Sequence, residues 1–149
     1  MRAVIQRVKK ASVRVDGTVT GAIEKGLLVF AGIEKGDDAR DLEYVSARVR
    51  GLRVFEDAAG KMNLDVKDAG GELLVVSQFT LLGDCTKGRR PSFERAETPE
   101  KAVALYEALI KNLADSGVAV KQGRFQAHME IESTNDGPVT IILDSRKLF

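Results

Sequence analysis

The apolar positions of this chain follow two periods, and the switches between them mark its elements. Residues 2–8 read as a strand, and residues 11–16 alternate through Ser12, Val13, Arg14, Val15 and Asp16, the pattern of a strand covered on one face. Asp16-Gly17 is a strong hairpin signal, and Thr18–Ile23 supplies the partner strand. The run from Gly26 to Ile33 is apolar throughout, which predicts a strand buried on both faces. Residues 37–50 change to helical spacing, with Leu42, Val45 and Val49 on one face and acids in the first turn. Residues 52–56 predict a short strand, Ala59-Gly60 a turn, and 63–66 its return. The next strand spans 72–81.

Thr98-Pro99-Glu100 has the order of a helix start: a hydroxyl at the N-cap, proline at the first helical position, then an acid. Ala102, Leu105, Tyr106, Leu109, Ile110 and Leu113 form the apolar stripe of that helix, and Gly117 ends it. Strands follow at 118–122 and 127–133. Asn135-Asp136-Gly137-Pro138 is expected to turn the chain, with 139–144 running back. Two helices and about seven to nine strands, joined mostly by hairpin signals, predict an α+β fold with largely antiparallel sheets.

Composition narrows the function classes. A length of 149 residues is expected to form one domain, residues 1–149, large enough to bury its own core. No apolar stretch is long enough for a transmembrane helix, and the opening residues lack a signal-peptide core. The lone Cys85 excludes an internal disulfide and fits a reducing cytoplasm; with one histidine, His128, a thiolate metal cage is not expected. The net charge of +1 leaves any nucleic-acid binding to a local patch.

One such patch follows an unusual strand end. The apolar run Leu73 to Val76 continues into Ser77-Gln78-Phe79-Thr80 and then into Lys87, Arg89 and Arg90, with Phe93 beyond. Basic side chains at a strand-end loop bind phosphates, and an aromatic ring packs on a base. From spacing alone, a solvated loop accounts for these charges better than a ligand does. Arg7, Lys9 and Lys10 could extend the patch, although a solvated strand edge explains them more simply. His128 falls on the polar face of its expected strand, opposite Met129, and reads as a surface histidine; Cys85 reads as a bystander thiol. No nucleophile elbow, zinc helix, phosphate loop or dinucleotide fingerprint is present.

Four motifs in one order add what spacing does not. SQFTL (77–81), KGRRPSF (87–93), GRF (123–125) and NDGPVT (135–140), with the opening MRAVIQRVKKASVRVDG, together resemble the D-aminoacyl-tRNA deacylase family over essentially the whole chain. The resemblance implies antiparallel sheets closing towards a barrel, with two main flanking helices. It implies a homodimeric hydrolase with no cofactor and no metal, working without a membrane. Its substrates would be D-aminoacyl-tRNA and glycyl-tRNA. Carried over by motif, Ser77, Gln78, Phe79 and Thr80 line the catalytic pocket. Gly137 and Pro138 match a Gly-cisPro element that reaches into the partner's pocket to select the D hand. Phe125, Met129 and Ala102 resemble further pocket residues, and Lys87, Arg89 and Arg90 become candidates for tRNA phosphates.

The implied chemistry explains the missing machinery. An aminoacyl ester is already activated, so positioning plus an oxyanion site suffices. Backbone N–H groups around Phe79 and Thr80 are the candidate donors, with the substrate's neighbouring ribose hydroxyl assisting water. Two alternatives remain at this level: an esterase with Thr80 or Cys85 as nucleophile, which needs an activating base, and a tRNA-binding module without turnover.

Overall fold

The computed structural model describes all 149 residues. Strand β1 (Arg2–Val15) is the spine of the sheet. The sequence reading splits it in two at Lys9-Lys10, but it runs through: Ala3, Ile5 and Val8 are buried in its first half, Ala11, Val13 and Val15 in its second. The two lysines are exposed where the register against the neighbouring strand shifts. β2 (Thr18–Ile23) returns from the Asp16-Gly17 turn, whose residues have φ of 49° and 77° as a tight two-residue hairpin requires. β3 (Gly26–Gly32) pairs antiparallel with the first half of β1.

Helix α1 (Ala39–Gly51) opens on a capping box: Asp38 accepts from the Arg40 N–H, and Asp41 accepts from the Asp38 N–H. A small ribbon, β4 (Phe55–Glu56) and β5 (Met62–Leu64), leads to β6 (Glu72–Ser77). β6 lies parallel to β3, and β7 (Val120–Gln122) lies parallel to β6 beyond helix α2 (Pro99–Ala114). The last strand, β8 (Glu130–Asp144), is antiparallel to β1 along nearly its full length.

The result is a mixed six-stranded sheet, ordered β2-β1-β3-β6-β7 with β8 on the other side of β1, that nearly closes into a barrel. Gly21 in β2 lies so close to β7 that a Cβ there would sit 2.7 Å from the Gln122 carbonyl oxygen; only glycine permits that approach. β3 and β6 are buried on both faces. Leu27, Val29, Leu73 and Val75 pack towards the helices, and Leu28, Leu74 and Val76 pack inside the barrel. That is why both segments read as unbroken apolar runs, as parallel strands covered on two faces do. Neither helix is long and apolar enough to cross a membrane.

Three local expectations are corrected. The 72–81 strand stops at Ser77 and passes into a 3-10 turn, Phe79–Leu82. The Thr98 hydroxyl makes no capping bond; the Thr98 carbonyl accepts from Ala102, while Pro99 occupies the first turn as expected. Asn135-Asp136-Gly137-Pro138 does not reverse the chain. Both halves of β8 pair with β1, Val8 facing Asn135 and Gln6 facing Thr140, so residues 136–139 bulge out opposite Arg7 alone.

Candidate active site

The strand end at Ser77 opens onto a cavity of about 500 Å³, a size that suits a small ligand or the end of a larger one. Ala31 at the end of β3 pairs with Ser77 at the end of β6. Both line the cavity, with Ile33, Gln78 and Phe79 beside them. Helix α2 contributes Pro99 and Ala102 from its first turn. The opposite wall is the segment from Phe125 to Met129 with Ile131, and the rim carries Phe93, Ala96 and Glu97. Small side chains at 31, 77, 96, 102 and 127 leave the space open.

Several contacts fix this frame. The Gln78 N–H donates to the Ala31 carbonyl at 2.8 Å. One turn into α2 from Ala102, the buried Tyr106 donates its hydroxyl to the Val75 carbonyl at 2.9 Å, and the Gly123 N–H donates to the same oxygen at 3.0 Å. The Tyr106 ring lies 5.6 Å from the ring of Phe125, so one buried side chain supports both the strand and the facing wall. Burial pushes the Tyr106 phenol well above its ordinary value, which keeps it a neutral donor. The Phe79 and Thr80 amides open the 3-10 turn, where the first N–H groups have no partner within the turn itself.

Of the residues singled out in the sequence, the structure gathers Ser77, Gln78, Phe79, Ala102, Phe125 and Met129 around one cavity. Thr80 is not among its lining residues; it is exposed, and its hydroxyl accepts from the Gln78 side-chain amide. His128 needs correction. Residues 123–129 are a turn and not a strand, with Gln126 at φ 64°, so alternation fails and His128 lines the same cavity as Met129. Glu97, Gln126, Ala31 in β3 and Ile33 just beyond it were missed. No periodic signal marks them: Ala31 meets Ser77 through parallel pairing, Glu97 is held at Ile33 beside an isolated antiparallel bridge, and Gln126 lies in a turn.

Lys87, Arg89 and Arg90 stand outside the cavity on a loop closed by two hydrogen bonds between Asp84 and Ser92, of 2.8 and 2.9 Å. All three are exposed and enter no ion pair. The Thr86 N–H holds the Asp84 carboxyl below its ordinary value. Past this loop, Phe93 returns to the cavity and meets Phe79 edge to face, centroids 5.1 Å apart. Cys85 is exposed on the same loop and does not line the cavity.

Gly137 and Pro138 are also outside the cavity of their own chain. Their peptide bond is cis. They form the exposed crest of the β8 bulge, and two side chains hold its base. Asn135 Oδ1 accepts from the Val139 N–H at 2.9 Å. Arg7 donates from Nε to the Asp136 carbonyl at 3.1 Å and from Nη1 to the Val54 carbonyl at 2.5 Å. At 6% exposure, Arg7 belongs to the interior and not to a phosphate-binding edge, which removes it from the basic patch.

The sequence pattern of the D-Tyr-tRNA(Tyr) deacylase family matches residues 4–144. A D-aminoacyl-tRNA deacylase of Thermotoga petrophila is 56% identical over 149 residues, covering 100% of both chains. One from Anaeromyxobacter dehalogenans is 58% identical over the same 149 residues, again covering 100% of both. Among solved structures, the c-Myc DNA unwinding element binding protein superposes with a TM-score of 0.91 at 40% identity, over 97% of this chain and 98% of that one. A probable eukaryotic D-amino acid tRNA deacylase shares the fold with a TM-score of 0.81 at 15% identity, over 95% and 97%.

Proposed function

This chain belongs to the D-Tyr-tRNA(Tyr) deacylase family and is a hydrolase that deacylates D-aminoacyl-tRNA, and we propose how its own residues carry out that reaction. The aminoacyl-adenosine end of the tRNA enters the cavity between the Ser77 strand end and the Phe125–Met129 wall. The Phe79 and Thr80 amides donate to the oxyanion that forms as water attacks the ester carbonyl. The neighbouring ribose hydroxyl of the substrate assists that water, so no protein base is required. The observation that carries this reading is the strand end itself: β6 leaves its ladder at Ser77 and enters a 3-10 turn at the cavity, freeing amides there. Thr80 as nucleophile is less well supported, since its hydroxyl is exposed and engaged by Gln78.

Chirality is selected by a second copy of the chain. β8 pairs only with β1, so its outer edge is free along 15 residues, with Ile142 55% exposed. A free edge of that length invites pairing. In the homodimer, the Gly137-Pro138 crest of one subunit reaches into the cavity of the other. Its backbone holds the substrate amino group and clashes with an L side chain, which is specificity by exclusion. A D side chain points outward, and glycine, with nothing to exclude, passes. Lys87, Arg89 and Arg90 meet tRNA phosphates and add affinity without hand. The protein acts in the cytoplasm and uses no metal or other cofactor.

The test is deacylation of D-tyrosyl-tRNA beside L-tyrosyl-tRNA at matched enzyme with a chelator present. Rapid loss of the D ester alone is expected. Glycyl-tRNA that resists completely while D-tyrosyl-tRNA is cleaved would sink the exclusion model. A second reading, nucleic-acid binding without turnover, draws on the 40% identical structure whose name is that of a DNA-element binding protein. It predicts retention of labelled tRNA with both esters intact.

A further inference from the structure

The rim of the cavity at Ala96-Glu97 belongs to neither a helix nor a regular strand, yet it is tightly held. Lys35 donates its N–H to the Arg95 carbonyl at 2.9 Å, and Glu97 donates its N–H to the Ile33 carbonyl at 3.0 Å, forming an isolated antiparallel bridge between Glu34 and Ala96. Beneath that bridge, Glu34 is only 3% exposed. Its Oε1 accepts from Arg95 Nε at 2.9 Å and lies 2.8 Å from Arg95 Nη2, so the guanidinium grips one oxygen with two groups. Arg146 Nη1 reaches the same oxygen at 3.1 Å. Oε2 is buried with no hydrogen-bond partner in the chain. A buried carboxylate with one oxygen unpaired costs stability, and an apolar residue would fill the position at lower cost. Its retention here therefore calls for a role other than stability.

We propose that Glu34 and Arg95 are a positioning pair that sets where Ala96 and Glu97 stand against the bound aminoacyl-adenosine, an inference that rests on the reading of this cavity as the substrate site. Neither side chain lines the cavity. Glu34 extends the β3 end that supplies Ala31 and Ile33, and Arg95 immediately precedes the rim. The pair thus fixes the distance between the floor strand and the rim. Arg146 is the internal control. It binds the same Glu34 oxygen, but its other contacts are the Lys35 carbonyl and Asp37, and it makes no hydrogen bond or ion pair with residues 95–97 themselves. Because either guanidinium alone still neutralises Glu34, neither single variant leaves a bare buried charge.

Arg95→Met and Arg146→Met are compared with the unaltered protein for KM and kcat on D-tyrosyl-tRNA and for thermal unfolding. Both variants are expected to lower the unfolding temperature by similar amounts. Only Arg95→Met is expected to raise KM, by about tenfold, with kcat and the D-to-L preference little changed. Arg95→Lys, which keeps the charge and loses the fork, falls between, and it carries the comparison if Arg95→Met does not fold. An unchanged KM in the Arg95 variants, or an equal rise in Arg146→Met, overturns the positioning role. Failure of the unaltered protein to cleave D-tyrosyl-tRNA would instead overturn the functional reading on which the pair depends.

Discussion

The cavity and the Gly137-Pro138 bulge are built by opposite means. The cavity is framed by doubly buried strands, β3 and β6, and by the first turn of α2, with Tyr106 locking strand to wall from beneath. The bulge rides on an edge strand with its crest in solvent, and Arg7, Asn135 and the packing of Val139 on the core hold it from inside. One is shaped by core packing; the other is a protrusion tied down at its base. The cavity is open on one side, and at the bulge only the Gly137-Pro138 crest is exposed, while Val139 at its foot packs against the core. Under the homodimer proposed above, the crest of one subunit is the piece that would meet the open cavity of the other.

The sharpest break in that comparison comes at the crest. A Cβ at Gly137 would lie 2.8 Å from Val139 Cγ2 and 3.1 Å from Arg7 Nη2, and its φ of 132° disfavours any side chain. Gly137→Ala is expected to lower kcat/KM for D-tyrosyl-tRNA by about 100-fold with the far-ultraviolet circular dichroism retained. Wild-type turnover in this variant would remove the bulge from the site. On the cavity side, Ala102→Leu fills the floor. It should raise KM several tens of fold, while overpacking costs about 1–3 kcal/mol in a denaturant titration.

Arg7→Met tests the tie at the base. Loss of its bonds leaves the Val54 carbonyl unpaired, for about 1–3 kcal/mol of stability. A loosened crest should also narrow the preference for D- over L-tyrosyl-tRNA by about tenfold, measured as the ratio of the two kcat/KM values. An unchanged ratio would mean that the crest keeps its shape without Arg7. Further out, replacing Lys87, Arg89 and Arg90 together with alanine should reduce the slope of log affinity against log salt by about 2, with the D-to-L ratio unaltered. The smallest effect is at Asp84. Its folded value lies below the ordinary 3.8, so its bonds to the loop are fully present above that pH and are lost as pH falls through the lowered value. A lower protection factor at the Thr86 amide below that point, with those of the core amides unchanged, is the expected signature.

Much of the fold was legible because its signals are local. Asp16-Gly17 demands a two-residue hairpin, and Pro99 marks a first helical turn wherever the chain puts it. The apolar runs of β3 and β6 announced burial on both faces, though not that the two strands lie parallel. The errors were local as well. Alternation through 127–133 looked like a strand because nothing in the residue pattern reveals a left-handed Gln126, and that misplaced His128. Asn-Asp-Gly-Pro has the composition of a reversal and of a bulge alike; pairing of both halves with β1 decides between them.

By itself, then, the order of residues determined both helices, most of the strands, which faces are apolar and, through its motifs, the family. Those properties depend on neighbours within a few positions along the chain. The tertiary structure alone decided that residues from Ala31 to Ile131 share one cavity, that Arg7 is an interior clamp instead of a surface charge, and that Glu34 lies beneath the rim. Each depends on contacts between distant segments, such as the pairing of β1 with β8 that joins Arg7 to Asp136 across 129 positions. No local period encodes contacts of that span.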